Sequence, residues 1–390
     1  MSEGTWKEKN IGDVLTLEYG KPLPASSRNA SGKYAVYGAN GIKDRSDRFY
    51  VEKPSIIVGR KGSAGEITLT EDKFWPLDVT YYVTFDEAKY NLRFLYHLLS
   101  LQELTKLAKG VKPGINRNEV YAKKVRIPPL PEQQRIVAVL DAAFAGLEIA
   151  TTNAEKNLRS ARELFVNFLN SIFKEKGENW RRTCIQDVCL SIVDCPNRTA
   201  PKLNGPSPFK MIRTTNVRNG RVSLDNVNYV SEATYHRWTR RQVPHRGDVL
   251  LTREAPLGEV GMLRTDDKVF LGQRLVSYRA NPAELDNHFL LFALRSLDLQ
   301  RQIKAFGSGA TVQHMRVPDT KALLLSLPPL ATQKRIVADL YQLLDASDGL
   351  AEKYLRKLGQ LAQLKQSILQ RAFSGELTSV PSETISEAAE

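Results

Sequence analysis

The chain has few cysteine and histidine residues, and their positions bear on redox compartment and metal binding. The three cysteines, Cys184, Cys189 and Cys195, lie within twelve residues of one another. Their odd number argues against a disulfide framework and favours a reducing cytoplasm. A zinc site built on these thiols is the alternative, but the five histidines show no pair at ligand spacing. We therefore expect buried or incidental thiols, no metal and a cytoplasmic protein.

Catalytic motifs are also missing. The sequence contains no G-x-x-x-x-G-K-[ST], no G-x-G-x-x-G and no H-E-x-x-H, and no Asp or Asn precedes its Pro-Pro pairs as in adenine methyltransferases. The triplet Glu71-Asp72-Lys73 is better explained as a charged turn than as part of a nuclease site. No apolar run reaches the ~18–20 residues of a membrane span, and residues 1–10 are too polar for a signal peptide. We expect no catalytic residues and no membrane contact.

A repeated phrase indicates how the chain is built. Residues 126–140 read RIPPLPEQQRIVAVL, and residues 326–340 read SLPPLATQKRIVADL. The Pro-Pro pair, Gln133 with Gln333, and Arg135 with Arg335 are identical at an offset of 200 positions. One repeat of this length predicts a duplicated domain with its connector, not a solenoid.

The net charge of +13 is concentrated in the two segments that precede each Pro-Pro phrase. Residues 1–130 hold 21 Lys and Arg against 15 Asp and Glu, and residues 179–326 hold 22 against 13. The two connectors are close to neutral. Two basic domains suggest two contacts with a polyanion, although a basic surface that only keeps the chain soluble is the alternative.

Heptad spacing after each Pro-Pro pair predicts two long helices that form a coiled coil. In the first helix the row Leu140, Leu147, Ala154, Ala161 and Phe168 recurs every seven residues. The positions that we expect in the coiled coil or against a partner are Gln133, Arg135, Leu140, Leu147, Leu158, Phe165, Gln333, Arg335, Leu340, Leu344, Leu358 and Leu361.

The lengths of the segments predict an α+β architecture. Each helix of about 40 residues would be ~60 Å long, whereas the domain between them would have a radius of gyration near ~15 Å. That domain cannot return the chain the full length of a helix, so the helices should be antiparallel. We expect a dumbbell with approximate twofold symmetry: head 1 at 1–130, a helix at 131–178, head 2 at 179–330, a helix at 331–374 and a disordered acidic tail at 375–390.

The two heads resemble each other in their scaffold and differ in their loops. Both read as short strands followed by one helix, near residues 91–107 and 287–305, which indicates mixed α/β domains. The divergent loops are rich in Arg, Lys, Asn and Gln, the side chains that read DNA bases and hold phosphates. A solvated surface position is the alternative for any single one. In head 1 the candidates are Lys21, Arg28, Lys43, Arg45, Arg48, Arg60, Lys61, Lys112, Asn116 and Arg117. In head 2 they are Arg198, Lys202, Lys210, Arg213, Asn216, Arg218, Arg240, Arg241, Arg253, Gln273, Arg274, Gln313 and Arg316.

Two variable heads, each followed by a helix that opens with PPL-x-x-Q-x-R-I-V, resemble the specificity subunit of a type I restriction–modification enzyme. The phrase SILQRAFSGEL at residues 367–377 is similar to the closing motif of that family. Ala331-Thr332 is a departure, because the family usually has an acidic residue before the glutamine, as Glu132 stands before Gln133. The resemblance implies that each head is a target recognition domain for one half of an asymmetric bipartite DNA site, with the helices setting the spacer.

The same resemblance implies partners. Two methyltransferase subunits would dock and bring S-adenosylmethionine for adenine-N6 methylation, and restriction subunits would bring ATP and Mg2+, with no cofactor on this chain. A stand-alone protein that bridges two DNA sites through its coiled coil is one alternative. An enzyme with an unrecognised site, built on the three cysteines, is another.

Overall fold

The computed structural model describes residues 6–175, 177, 179–196, 198–306 and 313–377. The chain divides into two compact units, Met1–Ala154 with Arg356–Glu390 and Glu155–Leu355. The boundaries of the two units differ from those of the five predicted segments, because each unit contains one head together with part of both long helices.

The first unit is built around a head of short strands. Its elements in chain order are β1 (Lys7–Asn10), β2 (Leu15–Tyr19), β3 (Tyr34–Gly38), β4 (Gly41–Ser46), β5 (Ser55–Gly59), β6 (Ile67–Thr70), β7 (Phe74–Pro76), β8 (Thr80–Phe85), α1 (Leu92–Ser100), α2 (Arg117–Tyr121), β9 (Lys124–Ile127) and the start of α3 (Leu130–Lys174). An antiparallel sheet in the order β2-β8-β5-β6 forms the centre, and β4-β3-β7 forms a smaller sheet. Every residue of β5 is buried, as expected for an apolar β-branched run in a central strand.

The second unit repeats this plan with more strands. Its elements are β10 (Arg181–Cys184), β11 (Cys189–Asp194), β12 (Phe209–Ile212), β13 (Val217–Arg218), β14 (Gly220–Val222), β15 (Asn228–Tyr229), α4 (Glu232–Trp238), β16 (Val249–Arg253), β17 (Leu257–Met262), β18 (Lys268–Leu271), β19 (Leu275–Ala280), α5 (Asn287–Arg295), α6 (Leu297–Phe306), α7 (Val317–Lys321), β20 (Leu324–Leu327) and the start of α8 (Leu330–Ser374). The central sheet has the order β11-β19-β16-β17-β14-β13, and β15-β12-β18 forms the smaller sheet. The predicted mixed α/β heads and long helices are thus confirmed.

The head helices are shorter than the sequence predicted. In head 1 the helix ends at Ser100, and Glu103 adopts a left-handed backbone with φ of 47° before a short 3-10 turn. In head 2 the predicted single helix breaks between α5 and α6 at Ser296, whose Oγ donates to Ala293 O at 2.7 Å. A hydroxyl bonded to the preceding turn offers the backbone an alternative to continuing the helix.

Each unit combines the start of one long helix with the end of the other. In the first unit the Lys365 ammonium of α8 lies 5.1 Å from the ring of Phe144 in α3. In the second unit the buried Ser347 Oγ of α8 donates to Ala161 O of α3 at 2.5 Å. This is the antiparallel arrangement that the sequence predicted.

The predicted heptad row describes most of α3 but fails near its end. Leu140, Leu147, Ala154 and Ala161 are buried, whereas Phe168 is 39% exposed. Leu169 and Phe173 are buried in its place and belong to the core cluster of head 2. A straight helix of 3.6 residues per turn drifts from a 3.5-residue repeat, so the buried face moves along the helix.

The outward face of α3 is unusually apolar. By length and composition alone α3 could cross a membrane, with a mean hydropathy of 1.4 over 18 residues, most of them not buried. Val139 and Ile149 contribute to this face, and Ile149 is 64% exposed. Such a helix is weak evidence for a membrane span, because α3 is also packed on the head cores through its other face.

The predicted acidic tail lies mostly outside the described residues. Residues 378–390 are not described, whereas Glu376 N donates to Arg371 O at 3.2 Å and Leu377 packs on the core of the first unit. The ordered chain therefore continues at least three residues beyond α8.

Candidate nucleic-acid interface

The first head brings five of the predicted residues to one surface, where the β5–β6 turn meets the loop before α2. Gly62 N donates to Pro113 O at 2.8 Å and Ile115 N donates to Arg60 O at 3.1 Å, which ties the loop to the turn. The residues gathered there are Arg60, Lys61, Lys112, Asn116 and Arg117. We call this group the head 1 surface. A group of cations of this kind is suited to contact with phosphates.

An aromatic side chain that the sequence analysis missed lies in the head 1 surface. Tyr19, at the end of β2, is 45% exposed, and the guanidinium carbons of Arg60 and Arg117 lie 5.3 and 5.1 Å from its ring centre. The Tyr19 ring therefore orients two cations at once. Burial, with a hydrogen bond to Tyr19, raises the pKa of the neighbouring Tyr81 to about 12. In the sequence, Tyr19 could have been recognised as an aromatic residue directly before Gly20 and Lys21.

The remaining head 1 candidates lie around the small sheet, in two different environments. Arg28 donates to Leu23 O at 2.8 and 3.1 Å, and Arg45 donates to Gly32 O and Lys33 O at 2.6 and 2.7 Å. These two guanidiniums hold loop carbonyls. In contrast, Lys21, Lys43 and Arg48 are exposed.

The second head assembles a corresponding surface with different chemistry. Met315 N donates to Arg253 O at 2.9 Å, so the loop before α7 is tied to the β16–β17 turn. The Glu254 carboxylate lies 3.3 Å from both Arg274 Nε and His314 Nδ1. The predicted residue Arg274 lies here, with Gln273 directly before it and Gln313 directly before His314. We call this group the head 2 surface, and it carries an acid where the head 1 surface carries Lys61.

Arg253 aligns with Arg60, since VLLTREAPLGEV at residues 249–260 matches IIVGRKGSAGEI at residues 56–67, but it has a packing role that this alignment did not indicate. It is 8% exposed, and its Nη1 donates to Met315 O at 3.1 Å. The Arg253 guanidinium therefore supports the loop from below, whereas Arg60 is half-buried and donates to Asp78 O at 2.7 and 3.0 Å. The physical reason is the cost of burying a charge, which has to be offset by bonds to polar groups.

Several other head 2 candidates are already engaged within the chain. Asn216 is buried and donates to Asn226 O at 3.1 Å, and Arg213 donates to the same oxygen at 2.8 Å. Arg218 donates to Thr214 O and Val217 O. Ion pairs also link Lys210 with Asp267, Arg241 with Asp194 and Arg316 with Asp319. Arg198, Lys202 and Arg240 are exposed.

The two glutamines expected in the coiled coil or against a partner are fully buried at the junction of head and helix. Gln133 Oε1 accepts from Asn91 N at 2.9 Å, and its Nε2 donates to Lys89 O and Pro128 O at 3.1 and 2.9 Å. With all three contacts made inside the unit, the side chain has no surface left for a partner. Arg135 and Arg335 are exposed.

The predicted coiled-coil positions point inward in both units. Phe165 and Leu340 are buried in the core of the second unit, and Leu344 packs against it. Leu358 and Leu361 of α8 are half-buried. These side chains hold the helices and heads together.

The cysteines show no sign of a metal site. Cys195 is buried, Cys184 and Cys189 are half-buried, and burial raises the pKa of the Cys189 thiol to about 12. Among the described residues, no group of three His, Cys, Asp or Glu side chains could hold a metal ion. A thiol with a raised pKa is a poor metal ligand and a poor nucleophile at neutral pH.

Comparison with known proteins agrees with the duplicated plan. The family model described as the type I restriction modification DNA specificity domain matches residues 3–158 and 177–359. A Haemophilus influenzae protein provisionally named as a type I restriction enzyme specificity subunit is 25% identical over 358 residues, 86% of each chain. The type I restriction enzyme EcoBI specificity subunit of Escherichia coli is 23% identical over 378 residues, 85% of this chain and 75% of that one.

Solved structures share the fold. A chain from a study of complex assembly and conformational transition of the type I R-M system has a TM-score of 0.75 at 19% identity, covering 96% of this chain and 100% of that one. The HsdS subunit of Thermoanaerobacter tengcongensis has a TM-score of 0.57 at 19% identity, covering 95% and 97%. At these identities the structures support the fold, while the family model spans both heads and most of the helices. The chain belongs to the family of type I restriction–modification specificity subunits.

Proposed function

We propose that this chain reads both halves of an asymmetric bipartite DNA site for a type I restriction–modification complex, with one half assigned to each head. The long helices set the number of unread base pairs between the halves. The chain itself is not catalytic and carries no cofactor.

The observation that carries this proposal is the presence of two equivalent surfaces with different side chains. In each head a β turn and the loop before a short helix are tied by backbone hydrogen bonds. One surface presents Arg60, Lys61 and Arg117, and the other presents Gln273 and Arg274 beside Glu254. Since Arg pairs with guanine, Gln with adenine and Glu with cytosine, such surfaces would select different bases.

The partners follow from the family and from the exposed surface of α3. We infer that two methyltransferase subunits dock on the helices and heads in the cytoplasm, and the apolar face around Val139 and Ile149 is a suitable place for one contact. S-adenosylmethionine would be held by those subunits, which would flip and methylate an adenine at N6. Restriction subunits would add ATP and Mg2+ for translocation and cleavage.

The test is to co-express the chain with a type I methyltransferase subunit in a host that carries a library of randomised DNA inserts, then to map N6-methyladenine. The expected result is one motif with two defined halves and an undefined spacer of constant length. Methylation without a bipartite motif would contradict the proposal. Full sequence-specific binding by the chain alone, with no subunit recruited, would instead support the stand-alone bridging protein.

A further inference from the structure

The junction between head and helix is fastened by one side chain in each unit. In the first unit Gln133 links α3 to two other segments. Asn91 and Lys89 belong to the segment before α1, and Pro128 follows β9. We call this set of contacts the glutamine joint. It sits where the chain leaves the head and enters the first turn of α3.

The second unit has the same joint. Gln333 Oε1 accepts from Asp286 N at 2.8 Å, and its Nε2 donates to Glu284 O and Pro328 O at 2.8 and 2.9 Å. All six partners in the two joints are backbone groups. A head can therefore change its side chains freely without losing the joint, because every residue offers a carbonyl and nearly every residue an amide.

The joint is satisfied and closed to water. Both glutamines are fully buried, and each amide uses its oxygen and its nitrogen. Removal of one such side chain leaves buried polar backbone groups unpaired, which destabilises this arrangement of head and helix. The contacts next to the joint differ between the two units. Arg93 forms an ion pair with Asp141 in the first unit, whereas His288 is hydrogen-bonded to Tyr341 at the equivalent place in the second.

We propose that Gln133 and Gln333 are positioning residues that fix the angle between each head and its long helix, and that this angle fixes the spacer length the complex accepts. The inference rests on the proposed function, because only a bipartite reader has a spacer. A head with a radius of gyration near ~15 Å is roughly 40 Å across, so a rotation of about 5° at the joint moves its far surface by ~3.4 Å, the rise of one base pair. A small loosening of the joint is therefore enough to admit a neighbouring spacer.

The experiment uses the co-expressed complex and synthetic duplexes with the wild-type half-sites at the native spacer, one base pair shorter and one longer. The variants Gln133→Met and Gln333→Met remove the joint in one unit each, and Gln133→Glu keeps the acceptor but loses both donated bonds. The control is Gln134→Met, since Gln134 is the exposed neighbour of the joint. Circular dichroism and gel filtration report the fold and assembly of each complex.

The expected result is that methylation at the altered spacers, relative to the native spacer, rises about tenfold in each joint variant, equivalent to ~1.4 kcal/mol. The selected bases of both half-sites should stay unchanged, and Gln134→Met should behave as the wild type. Folded variants with the wild-type spacer ratio would overturn the proposal. So would a failure of all three variants to give a folded complex, since the glutamines would then serve folding alone. If the wild type itself selects no bipartite motif, the proposed function fails first, which separates the two outcomes.

Discussion

His288 Nδ1 lies 2.6 Å from the hydroxyl oxygen of Tyr341, which also accepts a hydrogen bond from Arg264 Nη2 at 2.9 Å. A hydrogen bond therefore joins the imidazole to the hydroxyl. Burial, assisted by the nearby Arg264 charge, lowers the pKa of His288. The second unit thus uses a neutral pair at the position where the first unit has the Arg93–Asp141 ion pair.

Acid should destabilise the first unit through its buried histidine. His97 is 7% exposed, and burial lowers its pKa to about 4 from the usual 6.5. The unfolded chain then binds more protons between these values, so stability is fully present above pH ~6.5 and falls as the pH drops toward ~4, by up to about 3 kcal/mol. Urea unfolding at pH 7.5 and 5 measures this. His97→Phe, which copies Phe292 of α5, should flatten the dependence, while a variant of the exposed His236 should not.

Loss of the buried carboxylate of Asp248 should strongly destabilise head 2. Asp248 accepts two hydrogen bonds from Arg279 at 2.8 Å and one from His245 N at 2.9 Å. Asp248→Ala leaves the half-buried Arg279 charge unpaired, at a cost of about 3 kcal/mol in the free energy of unfolding. The matched control is Asp266→Ala, which removes the exposed ion pair with Arg246 and should leave the Tm unchanged. Equal Tm shifts in the two variants would contradict this account.

Two arginines that the sequence suggested for DNA contact should behave differently when they are replaced. Arg117→Ala should weaken binding to all sequences and reduce the slope of log K against log salt by about 0.9, as expected for one lost phosphate contact. Arg213→Ala should instead lower the Tm, because the bond from Arg213 to Asn226 O is lost. Fluorescence anisotropy over a salt series, together with thermal unfolding, distinguishes these effects. A normal Tm with weakened binding in Arg213→Ala would place that side chain on the DNA.

Tyr19 should influence one half-site and leave the other unaffected. Tyr19→Leu removes the ring that orients Arg60 and Arg117, with a loss of about 1–2 kcal/mol from two cation–π contacts. Binding to duplexes with base changes in each half-site measures where discrimination is lost. Tyr19→Phe keeps the ring and should retain discrimination. Equal loss at both half-sites would argue against a local role.

A change in helix length should alter the spacer in a defined step. Deletion of one heptad from the middle of both α3 and α8 shortens each by ~10.5 Å, equal to about three base pairs, and keeps the buried faces in register. Methylation mapping should therefore find the same half-sites with a spacer about three base pairs shorter. An unchanged spacer would contradict the role of the helices as a ruler.

The sequence by itself determined the duplication, the basic heads and the two long helices. Those features depend on local patterns: the heptad row places Leu140, Leu147 and Ala154 on one face whatever the heads contain. The Pro-Pro phrase marked the start of each helix because proline suits the first turn and no other part of a helix.

Tertiary structure alone decided which side of each element became an interior. Leu169 and Phe173 are buried where Phe168 was expected to be, because the core of head 2 offers apolar partners on their side of α3. Arg60 and Arg253 align in sequence, yet one stacks on an exposed ring and the other is buried beneath a loop. The repeated glutamine was expected in the coiled coil or against a partner. Its role in the joint could not be predicted, since no local pattern reveals a bond to the backbone about 45 residues away. Burial and long-range hydrogen bonds depend on which segments meet, and only the folded chain specifies that.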